Sequence, residues 1–124
     1  MDGESPFEII SYNQTRSFNY IDDAVTATIL CQEAAAVNNE IFHIGTQEEI
    51  SIEELVKYIG TVLKYQGTYT YKDAPSGSVK RRCPDITKAR KLLGYEPTIG
   101  WHDGVLRTVE WYRNFYSKGG IAFE

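Results

Sequence analysis

The chain has 124 residues, 42% of them hydrophobic and 24% charged, with a formal net charge of −4. This is the composition of one ordinary globular unit, and the acidic total argues against a general nucleic-acid or anionic-membrane binder, which carries a basic excess. No apolar run is long enough to span a bilayer, and MDGESPF lacks the basic and apolar regions of a secretion signal, so a cytoplasmic location is expected.

Residues 7–20 are rich in β-branched and aromatic types and read as one or two extended segments, ending where Asp22 is placed to cap a helix. In that helix Ile21, Val25 and Ile29 recur at intervals of four, which predicts one narrow, buried apolar face. IFHIG, closed by Gly45, reads as a buried strand, with His43 expected as a satisfied core histidine. The next segment, ISIEELVKYIGTVLK, has a clear helix start. Ser51 and Glu54 form a capping box worth about 1 kcal/mol, and Ile52, Leu55, Val56, Ile59, Val62 and Leu63 line the inward face. TYTY predicts a short strand, and KDAPSGSVK a loop.

DITKARKLLGYEP then predicts a short helix capped by Asp85 or Thr87. Ala89, Leu92 and Leu93 turn inward, Gly94 terminates the helix, and Pro97 bars its continuation. A last helix is expected from about Trp101 to Tyr116, with His102 solvated in its first turn and Val105, Val109, Tyr112 and Tyr116 at near-helical spacing. Helices and strands alternate, so the class is α/β, with residues 1–124 forming one partial domain and 117–124 a flexible tail. Cys31 and Cys83 stand far apart with no C-x-x-C pair and are expected as ordinary small side chains.

Charge is unevenly spread. Residues 33–54 hold six glutamates and no Lys or Arg, whereas residues 80–91 hold Lys80, Arg81, Arg82, Lys88, Arg90 and Lys91 against Asp85 alone. No glycine is followed by another three positions later, no tyrosine has a lysine four residues on, and H-E-x-x-H, G-x-S-x-G and Walker patterns are absent, so the chain carries no self-contained catalytic apparatus and no metal site.

What remains is anion binding. A guanidinium is permanently charged and matches phosphate oxygens with a planar fork. Arg16 sits at an element boundary between aromatics, Phe18 and Tyr20, where it either meets an anion or pairs with Asp22 or Asp23. Lys80, Arg81 and Arg82 leave a Gly/Pro loop just before a helix, either as a solvated basic loop or closing over a phosphate. Asp85 is a helix cap or, alternatively, a contact for a ribose hydroxyl.

TRSFNYIDDAV, EIFHIGTQEEISIEELVKYI and KRRCPDITKARKLLGYEPTIGWHDGVLRTVEWY, in that order, resemble the C-terminal part of an extended short-chain dehydrogenase/reductase. The likeness is to the NAD-dependent nucleotide-sugar epimerases, dehydratases and decarboxylases, and the R-R-x-P-D-I variant looks most like the UDP-glucuronate decarboxylases. The resemblance implies that Arg16 contacts the nucleotide diphosphate with Phe18 near it, and that Arg82 makes a second diphosphate contact, with Arg81 the alternative.

It also implies a small C-terminal substrate-binding domain lacking the Rossmann domain, whose glycine-rich turn and Tyr-x-x-x-Lys pair would bind NAD and do the chemistry in a homodimeric parent. The expected partners are a UDP- or dTDP-sugar and that missing domain, and the chain alone should not turn over. A free-standing sugar-nucleotide-binding or protein-interaction module is the other reading. The family's glycines before T-R-S-F are replaced by SYNQ, and His43 stands where the strand often has Asn.

Overall fold

The computed structural model describes residues 5–35 and 37–119. Among the described residues two short sheets and four helices make up the fold. β1 (Phe7–Ile10) pairs in parallel with β4 (Tyr69–Lys72), with Phe7 opposite Tyr69 and Ile10 opposite Lys72. β2 (Thr15–Ser17) is the centre of a second sheet, flanked by antiparallel β3 (Glu49–Ser51) and parallel β5 (Arg81–Arg82). Both sheets therefore join the first residues of the chain to segments more than sixty positions later.

The helices are α1 (Ile21–Glu33), α2 (Ile52–Leu63), α3 (Thr87–Leu93) and α4 (Trp101–Ser117). At the start of α2 the expected capping box is present: the Ser51 hydroxyl accepts from Glu54 N at 3.1 Å and the Glu54 carboxylate accepts from Ser51 N at 2.8 Å. α3 stops at Gly94, whose φ of 65° is the left-handed conformation that a residue without Cβ adopts freely. α4 runs to Ser117, into the expected tail, of which residues 120–124 lie outside the described residues. Its N-terminus is capped from a distance, because Glu48 Oε2 accepts from Trp101 N at 3.0 Å.

The core lies between α1, α3 and the extended run before Gly45. Ala27, Ile86, Ala89, Leu93 and Tyr95 are buried there, with Leu30, Cys31, Phe42 and Ile44 packed around them. Cys31 and Cys83 are both free thiols. Every buried side-chain nitrogen and oxygen among the described residues has a hydrogen-bond partner, as a low-dielectric interior requires.

Several expectations are corrected. The inward side of α1 is Asp23, Ala27 and Leu30, whereas Ile21, Val25 and Ile29 are exposed, Ile21 by 62%. At 3.6 residues per turn the two sets lie on opposite sides of one helix, so α1 is apolar on two sides and this chain covers only one. Nor does Asp22 cap α1: the N-cap is Tyr20, without a side-chain bond, and Asp22 is exposed in the first turn.

Among the described residues the IFHIG segment forms no strand and belongs to neither sheet. Phe42 and Ile44 still turn inward while Ile41, 79% exposed, and His43 face solvent, so His43 is not a core residue. Leu92 is exposed as well, since seven-residue α3 packs only the side that carries Ala89 and Leu93, and so is Leu63, expected on the inward face of α2 but standing at that helix's last residue.

Candidate functional site

Successive side chains of a strand point to opposite faces, and cross-strand partners share a face. In the three-stranded sheet Thr15 is opposite Arg81 and Ser51, and Ser17 opposite Glu49, so these five residues share one face. Arg16 is opposite both Arg82 and Ile50, which places the two arginines side by side on the other face. The register thus separates Arg81 from Arg82.

The first face is neutralised. Glu49 accepts from Arg81 Nε at 2.7 and 2.9 Å and from the Thr15 hydroxyl at 2.6 Å. These bonds, Arg81's foremost, lower the Glu49 carboxyl to about 2, since hydrogen bonds to the charged form favour it. Arg81 is thereby committed to a structural ion pair across the sheet.

On the second face Arg16 forms no ion pair with Asp22, Asp23 or any other carboxylate among the described residues. Its guanidinium donates to neutral oxygens: Thr15 O at 2.7 Å, Gln14 Oε1 at 2.8 Å, Val79 O at 2.8 Å and, more loosely, Lys80 O at 3.5 Å. Its Nε–H and the side chains of Arg82 and Lys80 have no hydrogen-bond or ion-pair partner among the described residues. Like-charged residues at directly opposite positions of one sheet face, with no carboxylate paired to either, are unfavourable. An anion placed over this face would relieve that repulsion and be gripped by charge-assisted bonds.

Two further members of the basic stretch are neutralised. Lys88 pairs with Glu40. Arg90 makes two bonds to Glu96, at 2.7 and 2.8 Å, and a third to Gln47 at 2.7 Å. Neither Asp85 nor Thr87 is the N-cap of α3, which is Ile86 and makes no side-chain cap bond; Asp85 Oδ1 accepts from Thr87 N at 2.9 Å just before the helix, and Thr87 holds its carboxyl below the ordinary value. Phe18 lines a cavity of about 170 Å³ with Tyr20, Trp101 and Val105 at the start of α4. There the Tyr20 ring lies against Gly104, with the Arg107 guanidinium 5.8 Å above it.

Sequence reasoning missed three polar residues that hold the site's surroundings. Asp23, 5% exposed, accepts from Thr98 N, the Thr98 hydroxyl and Ile99 N at 3.0–3.1 Å. Tyr95, 1% exposed, donates to Gly45 O at 2.8 Å, and burial pushes its phenol up. Gln14 is buried beside Arg16. The one local signal for Asp23 is its place four residues before Ala27 on the inward side of α1. Nothing local marks Tyr95 or Gln14.

Among the described residues no cluster of His, Cys, Asp and Glu could hold a metal ion, and no helix is long and apolar enough to cross a membrane.

The architecture is that of a small α/β domain with two like-charged arginines on one sheet face, and it has relatives. No protein-family model matches the chain. It is 34% identical over 106 residues to a UDP-N-acetyl-alpha-D-glucosaminuronate decarboxylase of Bacillus cytotoxicus, a match covering 81% of this chain and 33% of that protein. The crystal structure of UDP-glucose 4-epimerase from Thermotoga maritima with UDP-glucose superposes with a TM-score of 0.80 at 32% identity, over 89% of this chain and 35% of that one. A UDP-glucuronic acid 4-epimerase from Bacillus cereus, in complex with UDP-glucuronic acid and NAD, gives 0.78 at 30% identity, over 90% and 36%.

The chain thus spans about a third of the length of the proteins it matches. It belongs to the NAD-dependent nucleotide-sugar epimerase and decarboxylase family of extended short-chain dehydrogenases/reductases and corresponds to the C-terminal part of such a protein.

Proposed function

We propose that this chain is the nucleotide-sugar-binding portion of an NAD-dependent UDP-sugar epimerase, dehydratase or decarboxylase, and that Arg16 and Arg82 hold the nucleotide diphosphate. The supporting observation is the register that sets Arg16 and Arg82 opposite each other on one sheet face, neither of them paired with a carboxylate among the described residues. Each charge-assisted contact contributes roughly 1.5–3 kcal/mol. That energy, taken from a part of the substrate remote from the reacting carbon, orients the sugar.

Arg81, turned to the other face and paired with Glu49, is left out of the site. Asp85 is left out too, as it is engaged at the start of α3. The chain has no glycine-rich dinucleotide turn, so NAD is assigned to the remainder of the enzyme. The exposed side of α1, with Ile21, Val25 and Ile29, is the surface that the remainder would cover.

Calorimetric titration with UDP, dTDP, GDP and NAD tests this reading. A weak heat of binding for a nucleoside diphosphate, none for NAD, and its loss in Arg16→Ala are expected. Unchanged UDP binding in Arg16→Ala would remove that residue from the site.

A further inference from the structure

A guanidinium offers only donors, so the residue that orients Arg16 must present an acceptor, and a carboxylate would cancel the charge that the site needs. Gln14 meets both conditions. Its side chain is 4% exposed, and its Oε1 accepts from Arg16 at 2.8 Å. Because only the amide oxygen can accept from a guanidinium, its NH₂ is left to donate to the Ser78 hydroxyl at 2.9 Å, and that hydroxyl also lies 3.2 Å from Oε1. Ser78 opens the last part of the loop whose next residues supply two further acceptors for Arg16, Val79 O and Lys80 O.

Thr15 N, one residue along, donates to the same Lys80 carbonyl at 3.0 Å. Gln14 is itself fixed at both ends of its backbone: its N–H donates to Ser11 O and its carbonyl accepts from Ile52 N, both at 2.9 Å. One buried amide therefore ties β2, the start of α2 and the loop leading into β5.

We infer that Gln14 is the positioning residue of the diphosphate site: it holds the Arg16 guanidinium by a neutral oxygen and the 78–80 loop by its amide, so that Arg16 and Arg82 stay in register with their charge uncancelled. This rests on the proposed diphosphate reading but reaches a residue that reading does not use. The side chain has the length of glutamate, so Gln14→Glu changes charge with little change of shape, and Gln14→Leu removes both bonds.

Two measurements on the intact chain test it. In the free protein, nitrogen-15 NMR of the Arg16 side chain should show slow rotation of the guanidinium in the wild type and fast rotation in Gln14→Leu, with faster amide exchange at Ser78–Lys80. In calorimetry, Gln14→Glu should keep its melting temperature yet bind UDP at least tenfold more weakly, which a merely structural role would not produce. The inference is overturned if the Arg16 guanidinium rotates freely in the wild type or stays restrained in Gln14→Leu. It is equally overturned if Gln14→Glu binds UDP as the wild type does. Should the wild type bind no nucleoside diphosphate, the functional reading fails, and the NMR measurement alone decides the role of Gln14. Gln14→Glu serves if Gln14→Leu does not fold, since the ion pair between the introduced carboxylate and Arg16 should shift the Arg16 Nε–H resonance, and an unmoved resonance counts against the inference.

Discussion

The two faces of the three-stranded sheet carry adjacent residues of one sequence to opposite ends. On one face Arg81 meets Glu49 and Thr15 and its charge is balanced; on the other, Arg82 stands beside Arg16 and the charge is left unbalanced. The same side chain, one position along, is structural in the first case and available to an anion in the second. A run of basic residues therefore says little about a binding site until strand register assigns each member a face. Half of the basic residues at 80–91 are in fact paired with glutamates, two of which lie in the acidic stretch before them.

The largest test of this contrast is a pair of substitutions. Arg82→Ala is expected to weaken UDP binding about ten- to a hundred-fold, the size of a lost charge-assisted bond, whereas Arg81→Ala should stay within about twofold of the wild type by calorimetry. Equal losses would erase the distinction between the faces.

A smaller effect separates the site from the core that supports it. Tyr95→Phe removes the hydroxyl that satisfies Gly45 O and should cost about 1 kcal/mol of stability, read as a lower melting temperature. UDP affinity measured well below that temperature should be unchanged; a parallel fall in affinity would show that the arginine face depends on the core's polar links.

The smallest effect is the pH response of the balanced face. With its carboxyl lowered from 4.5 to about 2, Glu49 contributes its full stabilisation above the ordinary carboxylate value and loses it as pH falls toward 2. Denaturation midpoints between pH 6 and pH 2 should therefore fall more steeply in the wild type than in Glu49→Gln. Parallel slopes would mean that the Glu49–Arg81 bond is as weak as an ordinary exposed pair.

How far these features could be read in advance depends on the distance over which each is determined. The Ser51–Glu54 box and the Gly94 stop involve neighbours within one helical turn, and both stand where the sequence placed them. Arg16 stands out by its type and position, yet its real partners, Gln14 and the carbonyls of Val79 and Lys80, include two that lie more than sixty residues away. The inward side of α1 differs from its expected side for a physical reason: a helix apolar on two sides has no local property that says which side this chain covers. Asp23 faces in because the backbone N–H groups of Thr98 and Ile99 wait for it there. IFHIG has strand-like residues and strand-like alternation, but a strand also needs a neighbour.

The bond between Asp23 and Thr98 has a consequence for the order in which the molecule is made. The other buried members of Ala27's cluster are Ile86, Ala89, Leu93 and Tyr95, and β1 pairs with Tyr69–Lys72. During synthesis α1 therefore emerges well before the residues that supply most of the buried side chains of its core. The closing of the core waits for residues near the end, because contacts this distant must overcome loop entropy before they stabilise anything. A nascent chain halted before Ile86 would have every residue of α1 but, of the buried core cluster, Ala27 alone.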